Sequence, residues 1–151
     1  MRKLVRTNSD AIDFINLVKF LDADLKIRDG EDHDFYNQFN NIDVIKHVVI
    51  LYIDHKAVGC GALKKYDNRS SEIKRMYTLT EARGKSVASQ ILQELELWST
   101  ELLFEKCILE TGKMQPEAIA LYKKCNYLIM PNYGQYKNVS NSICFEKLLN
   151  I

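Results

Sequence analysis

No apolar run in the 151-residue chain approaches the roughly 20 residues of a membrane span. A membrane-embedded protein is therefore not expected. Charge of one sign is also missing: 21 Lys and Arg stand against 20 Asp and Glu, a formal net charge of +1. No strong field points to nucleic acid or an anionic membrane as partner. Arg2 and Lys3 are not followed by an apolar h-region, so no signal peptide is expected. The four cysteines, Cys60, Cys107, Cys125 and Cys144, form no Cys-x-x-Cys pair and have no histidine at a ligand spacing. They predict buried free thiols in a reducing compartment, no metal site and a cytoplasmic location. His33, His47 and His55 are scattered. No internal repeat or low-complexity segment divides the chain.

The composition is that of a soluble globular protein, with 46% apolar and 27% charged residues. The length suits one domain with a single core over residues 1–151. Lys3 to Thr7 reads as a short strand. Ser9 is placed to cap a helix whose stripe is Ile12, Ile15, Val18, Leu21 and Leu25. A charged loop follows from Arg28 to Asp34, then a short helix over Phe35, Phe39 and Ile42. Val48 to Ile53 and Ala57 to Lys65 form a hairpin around Asp54-His55-Lys56, and Ser71 to Thr78 extends it. From about Arg83 the period becomes helical through Val87, Ala88, Ile91, Leu92, Leu95, Trp98 and Leu102. Lys106 to Thr111 is a strand. Gln115-Pro116 opens a helix with proline near its first position, and Asn126 is its left-handed stop. Tyr127 to Met130 and Ser142 to Lys147 are the closing strands. The order predicts a mixed α/β sheet with helices on both faces.

The segment with most chemistry runs from Met76 to Leu92. A strand ends, a turn carries Arg83-Gly84-Lys85-Ser86, and a long amphipathic helix begins. The first N–H groups of a helix lack intrahelical acceptors and carry the positive end of its dipole. Small residues at Gly84, Ser86, Ala88 and Ser89 let a phosphate approach the backbone, with Arg83 and Lys85 at the rim. Together they form a pyrophosphate cradle. Gly84-Lys85-Ser86 also mimics the end of a P-loop, but that motif requires glycine where Leu79 stands.

Strand, Arg83-x-x-Ser86-x-Ala88, helix resembles the acetyl-CoA-binding motif of the GNAT superfamily of acyl-CoA-dependent N-acyltransferases, whose pattern is Gln/Arg-x-x-Gly-x-Gly/Ala. Ser86 stands where glycine is usual. A second segment, Gln115 to Tyr127, is similar to the family's Asn-x-x-Ala-x-x-Leu-Tyr-x-x-x-Gly-Phe, with Gln115, Asn126 and Tyr127 as role-preserving replacements. Ser142 to Lys147 resembles the last strand. The matches cover roughly the last half of the chain, from Glu72 on. The resemblance implies a mostly antiparallel, twisted sheet of six to seven strands. Splayed central strands would hold acetyl-CoA between them.

What the resemblance implies for the site is specific. Met76, Tyr77 and Thr78 would pair with the pantetheine like an added strand, and a Met76 or Tyr77 N–H would polarise the thioester carbonyl. Arg83, Gly84, Lys85, Ser86, Val87, Ala88 and Ser89 would hold the pyrophosphate, and Gln115 would line the pantetheine arm. Tyr122 would serve the departing sulfur. Glu72 and Glu110 compete as the base that an alkylammonium of pKa near 10.4 requires, with Glu72 preferred. Either acts directly or through water. The implied reaction is direct attack of a primary amine on acetyl-CoA in a ternary complex.

The acceptor pocket is expected from residues 20–39 and 132–141. The first segment is acidic through Asp22, Asp24, Asp29, Glu31, Asp32 and Asp34, which suits a cationic amine. Tyr133 and Tyr136 are placed to wall the pocket or to make core or homodimer contacts. A small-molecule amine, a protein lysine or N-terminus, and a non-catalytic acetyl-CoA sensor all remain open at this stage.

Overall fold

Among the described residues, seven strands run in the order β1-β2-β3-β4-β5-β7-β6. They are β1 Arg2–Thr7, β2 His47–Ile53, β3 Lys56–Lys65, β4 Ser70–Thr78, β5 Lys106–Gly112, β6 Leu128–Met130 and β7 Ser142–Leu148. Among the described residues three α-helices join them: α1 Ile12–Asp29, α2 Val87–Glu101 and α3 Pro116–Lys124. This computed structural model describes residues 1–30 and 45–149. The short helix expected over Phe35, Phe39 and Ile42 lies outside the described residues, as does His33.

All neighbouring strands are antiparallel except β4 and β5. The β2–β3 hairpin is tight because Asp54 and His55 both take left-handed φ angles of 48° and 71°, the geometry of a primed turn. Helix α3 starts on Pro116 and ends before Asn126, whose φ of 72° is the expected left-handed stop.

Two expectations about α1 are corrected. Ser9 is not its cap. The N-cap is Ala11, with no side-chain bond. Ser9 instead holds Ile45: its N–H donates to the Ile45 carbonyl at 2.9 Å, and its Oγ accepts the Ile45 N–H at 3.0 Å. The buried stripe is also rotated. Phe14, Leu17, Val18 and Leu21 are buried while Ile12 is 74% exposed. Phe14 and Leu17 pack with Val48, Ile50, Cys60 and Ala62 on one sheet face, and an aromatic ring there covers more apolar area than Ile12 would. Helix α2 begins at Val87, later than the periodicity suggested, because Arg83 to Ser86 are held in an irregular turn.

The opposite face carries α2 and α3 over Leu63, Ile73, Cys107, Leu109 and Phe145. Helix α2 lies close because β3 offers Gly59 and Gly61. A Cβ on Gly59 would sit 2.7 Å from Val87 Cγ1 and 3.1 Å from the Tyr77 carbonyl oxygen. Cys60, Cys107 and Cys144 are buried and Cys125 is partly buried, all as free thiols.

The feature that positions the site is the junction of β4 and β5. Their parallel pairing covers only Ser70 to Glu72 against Lys106 to Ile108. Beyond it the strands separate, although β4 runs on to Thr78 and β5 to Gly112. Strand β4 also bulges: Arg75 and Met76 face only Gly61 of β3, and Arg75 takes φ 60°.

Candidate active site

The gap between β4 and β5 is a cleft of about 120 Å³. Leu21, Leu25 and Asp29 wall it from α1, Glu72 to Met76 from β4, and Glu110 to Gly112 from β5. Gln115, Ala118 and Tyr122 close it from the α3 side, and Tyr136 from the loop before β7. Alternation along the strands explains the arrangement. Cys107 and Leu109 face α2 and α3, so Ile108 and Glu110 face the other way. Tyr122 therefore enters the cleft from one side of the sheet and the carboxylates from the other.

Both candidate bases are here, in different states. Glu72 is buried and engaged at both oxygens. Tyr133 donates its O–H to Oε2 at 2.6 Å. Lys74 Nζ stands 3.7 Å from Oε1. Glu110 is half-buried, and its Oε2 accepts the Ser142 hydroxyl at 2.6 Å. Burial pushes the Glu110 carboxyl up to about 7. The Ser142 hydrogen bond and Lys74 oppose this, and the charges of Asp29 and Glu72 add to it. The Tyr122 ring is buried against Tyr127 and Phe145. Burial first, then the Glu110 charge, hold its phenol above the ordinary range.

The β4–α2 turn leads out of the same strand. Thr80–Ala82 is a single 3-10 turn. Arg83 Nε donates to the Thr78 carbonyl at 3.1 Å, and its guanidinium lies over the Tyr77 ring. Gly84 has φ 76° and Ser86 φ 64°, so the chain passes through two left-handed residues before α2 starts. Among the described residues, no backbone acceptor meets the N–H groups from Ser86 to Ser89; the first such bond is from the Gln90 N–H to the Ser86 carbonyl at 3.1 Å. Four successive N–H groups, from Ser86 to Ser89 and including those of Val87 and Ala88 in the first turn, are thus open to an anion. On the far side of the turn Arg2 donates to the Lys85 carbonyl at 2.6 Å and to Gln90 Oε1 at 3.1 Å. A peptide's C=O and N–H point opposite ways, so fixing the Lys85 carbonyl outward turns the Ser86 N–H inward.

Several participants were missed in the sequence. Lys74 follows Glu72 by two residues on one strand, a spacing that places both on one face and was available as a signal. Arg75 had none, since its place depends on the bulge. The 132–141 segment does wall the cleft: Asn132 Nδ2 donates to the Tyr136, Val139 and Ser142 carbonyls, at 3.1 Å each, and fixes the loop that delivers Tyr133 and Tyr136. The acidic character of residues 20–39 changes on inspection. Asp22 pairs with Arg75 at 2.8 Å and Asp24 with Arg28 at 3.2 Å. Asp29 lines the cleft. Glu31, Asp32 and Asp34 lie outside the described residues. His47 packs edge-on to Trp98, and His55 sits in the β2–β3 turn. No described helix is long and apolar enough to cross a membrane.

Comparison with known proteins places this geometry. Residues 15–127 match the model of the Acetyltransferase (GNAT) family. The uncharacterized N-acetyltransferase YsnE of Bacillus subtilis (strain 168) is 36% identical over 93 residues, which span 60% of this chain and 62% of that protein's length. Among solved structures, a Klebsiella pneumoniae protein provisionally described as an acyl-CoA N-acyltransferase superposes with a TM-score of 0.83 at 24% identity, covering 99% of both chains. A GNAT family acetyltransferase from Elizabethkingia anophelis with acetyl-CoA bound superposes at 0.71 with 14% identity, over 98% of both. Both superpositions extend over nearly the whole fold described above, and the family model covers well over half of the sequence. The chain belongs to the GNAT acetyltransferase family.

Proposed function

We propose that this protein transfers the acetyl group of acetyl-CoA to a primary amine of a small molecule by direct attack in a ternary complex. The observation that carries this reading is the parting of β4 and β5 after Glu72 and Ile108, with Tyr122 on one side of the gap and Glu110 on the other. The open N–H groups from Ser86 to Ser89 suit the pyrophosphate, with Gly84 leaving room for it and Arg83 and Lys85 at the rim. The edge of β4 from Met76 to Thr78, freed from β5, suits the pantetheine, and Gln115 lines its path. The solved relative with acetyl-CoA bound on the same fold supports the donor.

We assign the base to Glu110. Its carboxyl, raised to about 7, is matched to taking a proton near neutral pH. Glu72, buried, with one oxygen taken by the Tyr133 O–H and the other in a loose ion pair with Lys74, serves instead to anchor the loop that carries Tyr133 and Tyr136. The ammonium gives one proton to Glu110. The neutral nitrogen attacks the thioester carbonyl carbon, the C–N bond forms and the C–S bond breaks. The second proton the nitrogen sheds ends on the sulfur. Tyr122 donates its O–H to the sulfur as charge develops there. Full transfer from this raised phenol to a thiolate, whose ordinary pKa is about 8.5, would run uphill. Its contribution is therefore a charge-assisted hydrogen bond. Orientation in the gap supplies much of the remaining rate.

The test is calorimetry with acetyl-CoA followed by free-thiol release on a panel of amines. Binding together with release on at least one small amine is expected. Binding without release on any amine would replace the reading with a sensor of acetyl-CoA.

A further inference from the structure

We propose that the cleft selects an acceptor bearing a carboxylate beside its amine, as an α-amino acid does, with Lys74 as the partner of that carboxylate. This rests on the transfer reading above and adds the chemical class of the acceptor. The cleft holds two basic side chains, delivered together because the bulge at Arg75 brings consecutive residues of β4 to one face. Arg75 is locked, its Nη1 on Asp22 Oδ1 at 2.8 Å. Lys74 is not. Its side chain is 17% exposed, and its one ion pair among the described residues, to Glu72 Oε1, spans 3.7 Å, too long for a hydrogen bond. The other oxygen of Glu72 already takes the Tyr133 O–H. An ammonium removed from water with three N–H donors and one loose partner is poorly compensated.

Lys74 lines the same small cleft as Glu110, and the two sense each other electrostatically. An acceptor lying between them would set its amine at Glu110 and its carboxylate at Lys74. A diamine of similar size would instead bring a second ammonium against Lys74. Of the acidic residues that suggested such a dication, Asp22 is held by Arg75 and Asp24 by Arg28, which Glu117 shares, and Asp29 alone of the three lines the cleft.

The experiment is thiol release from acetyl-CoA with a panel of α-amino acids, each set against its own carboxamide. The carboxamide's amine is less basic and carries more of its free form, so intrinsic reactivity favours the amide. A preference for the acid then reports the pocket. For at least one pair, the unsubstituted protein is expected to favour the acid by about tenfold or more in kcat/KM. Lys74→Met is expected to bring that ratio to about one or below, mainly through KM, with acetyl-CoA affinity unchanged. Lys74→Arg keeps the charge and is expected to retain a preference of the same sign. Should the Met variant not fold, the wild-type ratio and the Arg variant decide the matter. Equal or better use of the amides by the unsubstituted protein, or an unchanged ratio in Lys74→Met, would overturn this inference and leave acetyl transfer standing. Acetyl-CoA binding with no transfer to either member of any pair would fall on the transfer reading, and this inference would go with it.

Discussion

Tyr122 and Glu110 divide the chemistry between opposite sides of the sheet, and each assignment has a kinetic signature. Tyr122→Phe removes only a hydroxyl, and the ring keeps its packing against Tyr127 and Phe145. A hydrogen bond to a charged group contributes about 1.5–3 kcal/mol. Turnover should therefore fall at least ~10-fold with acetyl-CoA affinity little changed. Full turnover in steady-state assays of this variant would remove Tyr122 from the reaction. Glu110 should appear as a rising limb in the pH profile of kcat/KM centred near 7, because only its ionised form accepts the proton. Glu110→Gln should abolish that limb, whereas Glu72→Gln should leave its position close to 7. A limb that survives in the Glu110 variant would return the base to Glu72 or to solvent.

The β4–α2 turn and its neighbour β3 act as elements, not as single side chains. Gly84 has open space around the position of a Cβ. Gly84→Asp therefore makes no clash; it sets an anion beside the cradle, on a backbone of φ 76° that, among side chains, strains Asp and Asn least. It should weaken acetyl-CoA binding by about tenfold or more in calorimetry, and normal affinity would mean the phosphates lie elsewhere. Gly59→Ala has the opposite character. Its Cβ meets the stiff Val87 side chain and a backbone oxygen, so α2 must shift outward, at a cost of ~1–3 kcal/mol. The urea midpoint should fall with an unchanged slope. These two positions also mark how far the sequence could be read. The turn, the proline start of α3 and its Asn126 stop were legible because each is a local backbone device. The helical face of α1 was not. Ile12 and Phe14 both fit a 3.6-residue stripe, and the choice between them is made by β2 and β3, more than thirty residues away. The Glu72–Tyr133 bond joins residues 61 apart, through a strand order that no local pattern encodes. The bulge at Arg75 was equally silent, since nothing about arginine announces a left-handed residue.

At the scale of the molecule, burying Glu110 between two halves of a sheet joined by three rungs makes stability depend on pH. Its folded pKa, about 7, lies above the ordinary value of 4.5. Between those values the native state holds a proton that the unfolded chain has lost, so this group makes stability fall as pH rises from 4.5 to 7. His47 acts in the other direction. Burial, with Lys46 adding, lowers its pKa below 6.5, so its contribution to stability is lost as pH falls through that range. The melting temperature of the unsubstituted protein alone therefore mixes two opposed slopes. The difference between it and Glu110→Gln does not, because His47 is common to both. Measured from pH 5 to 8, the Gln variant should gain on the unsubstituted protein as pH rises, with the gain levelling off above 7. A difference that is flat, or that runs the other way, would mean the Glu110 carboxylate is well solvated in the gap. A solvated carboxylate would leave no reason for its activity limb to lie near 7, so the thermal experiment bears directly on the assignment of the base.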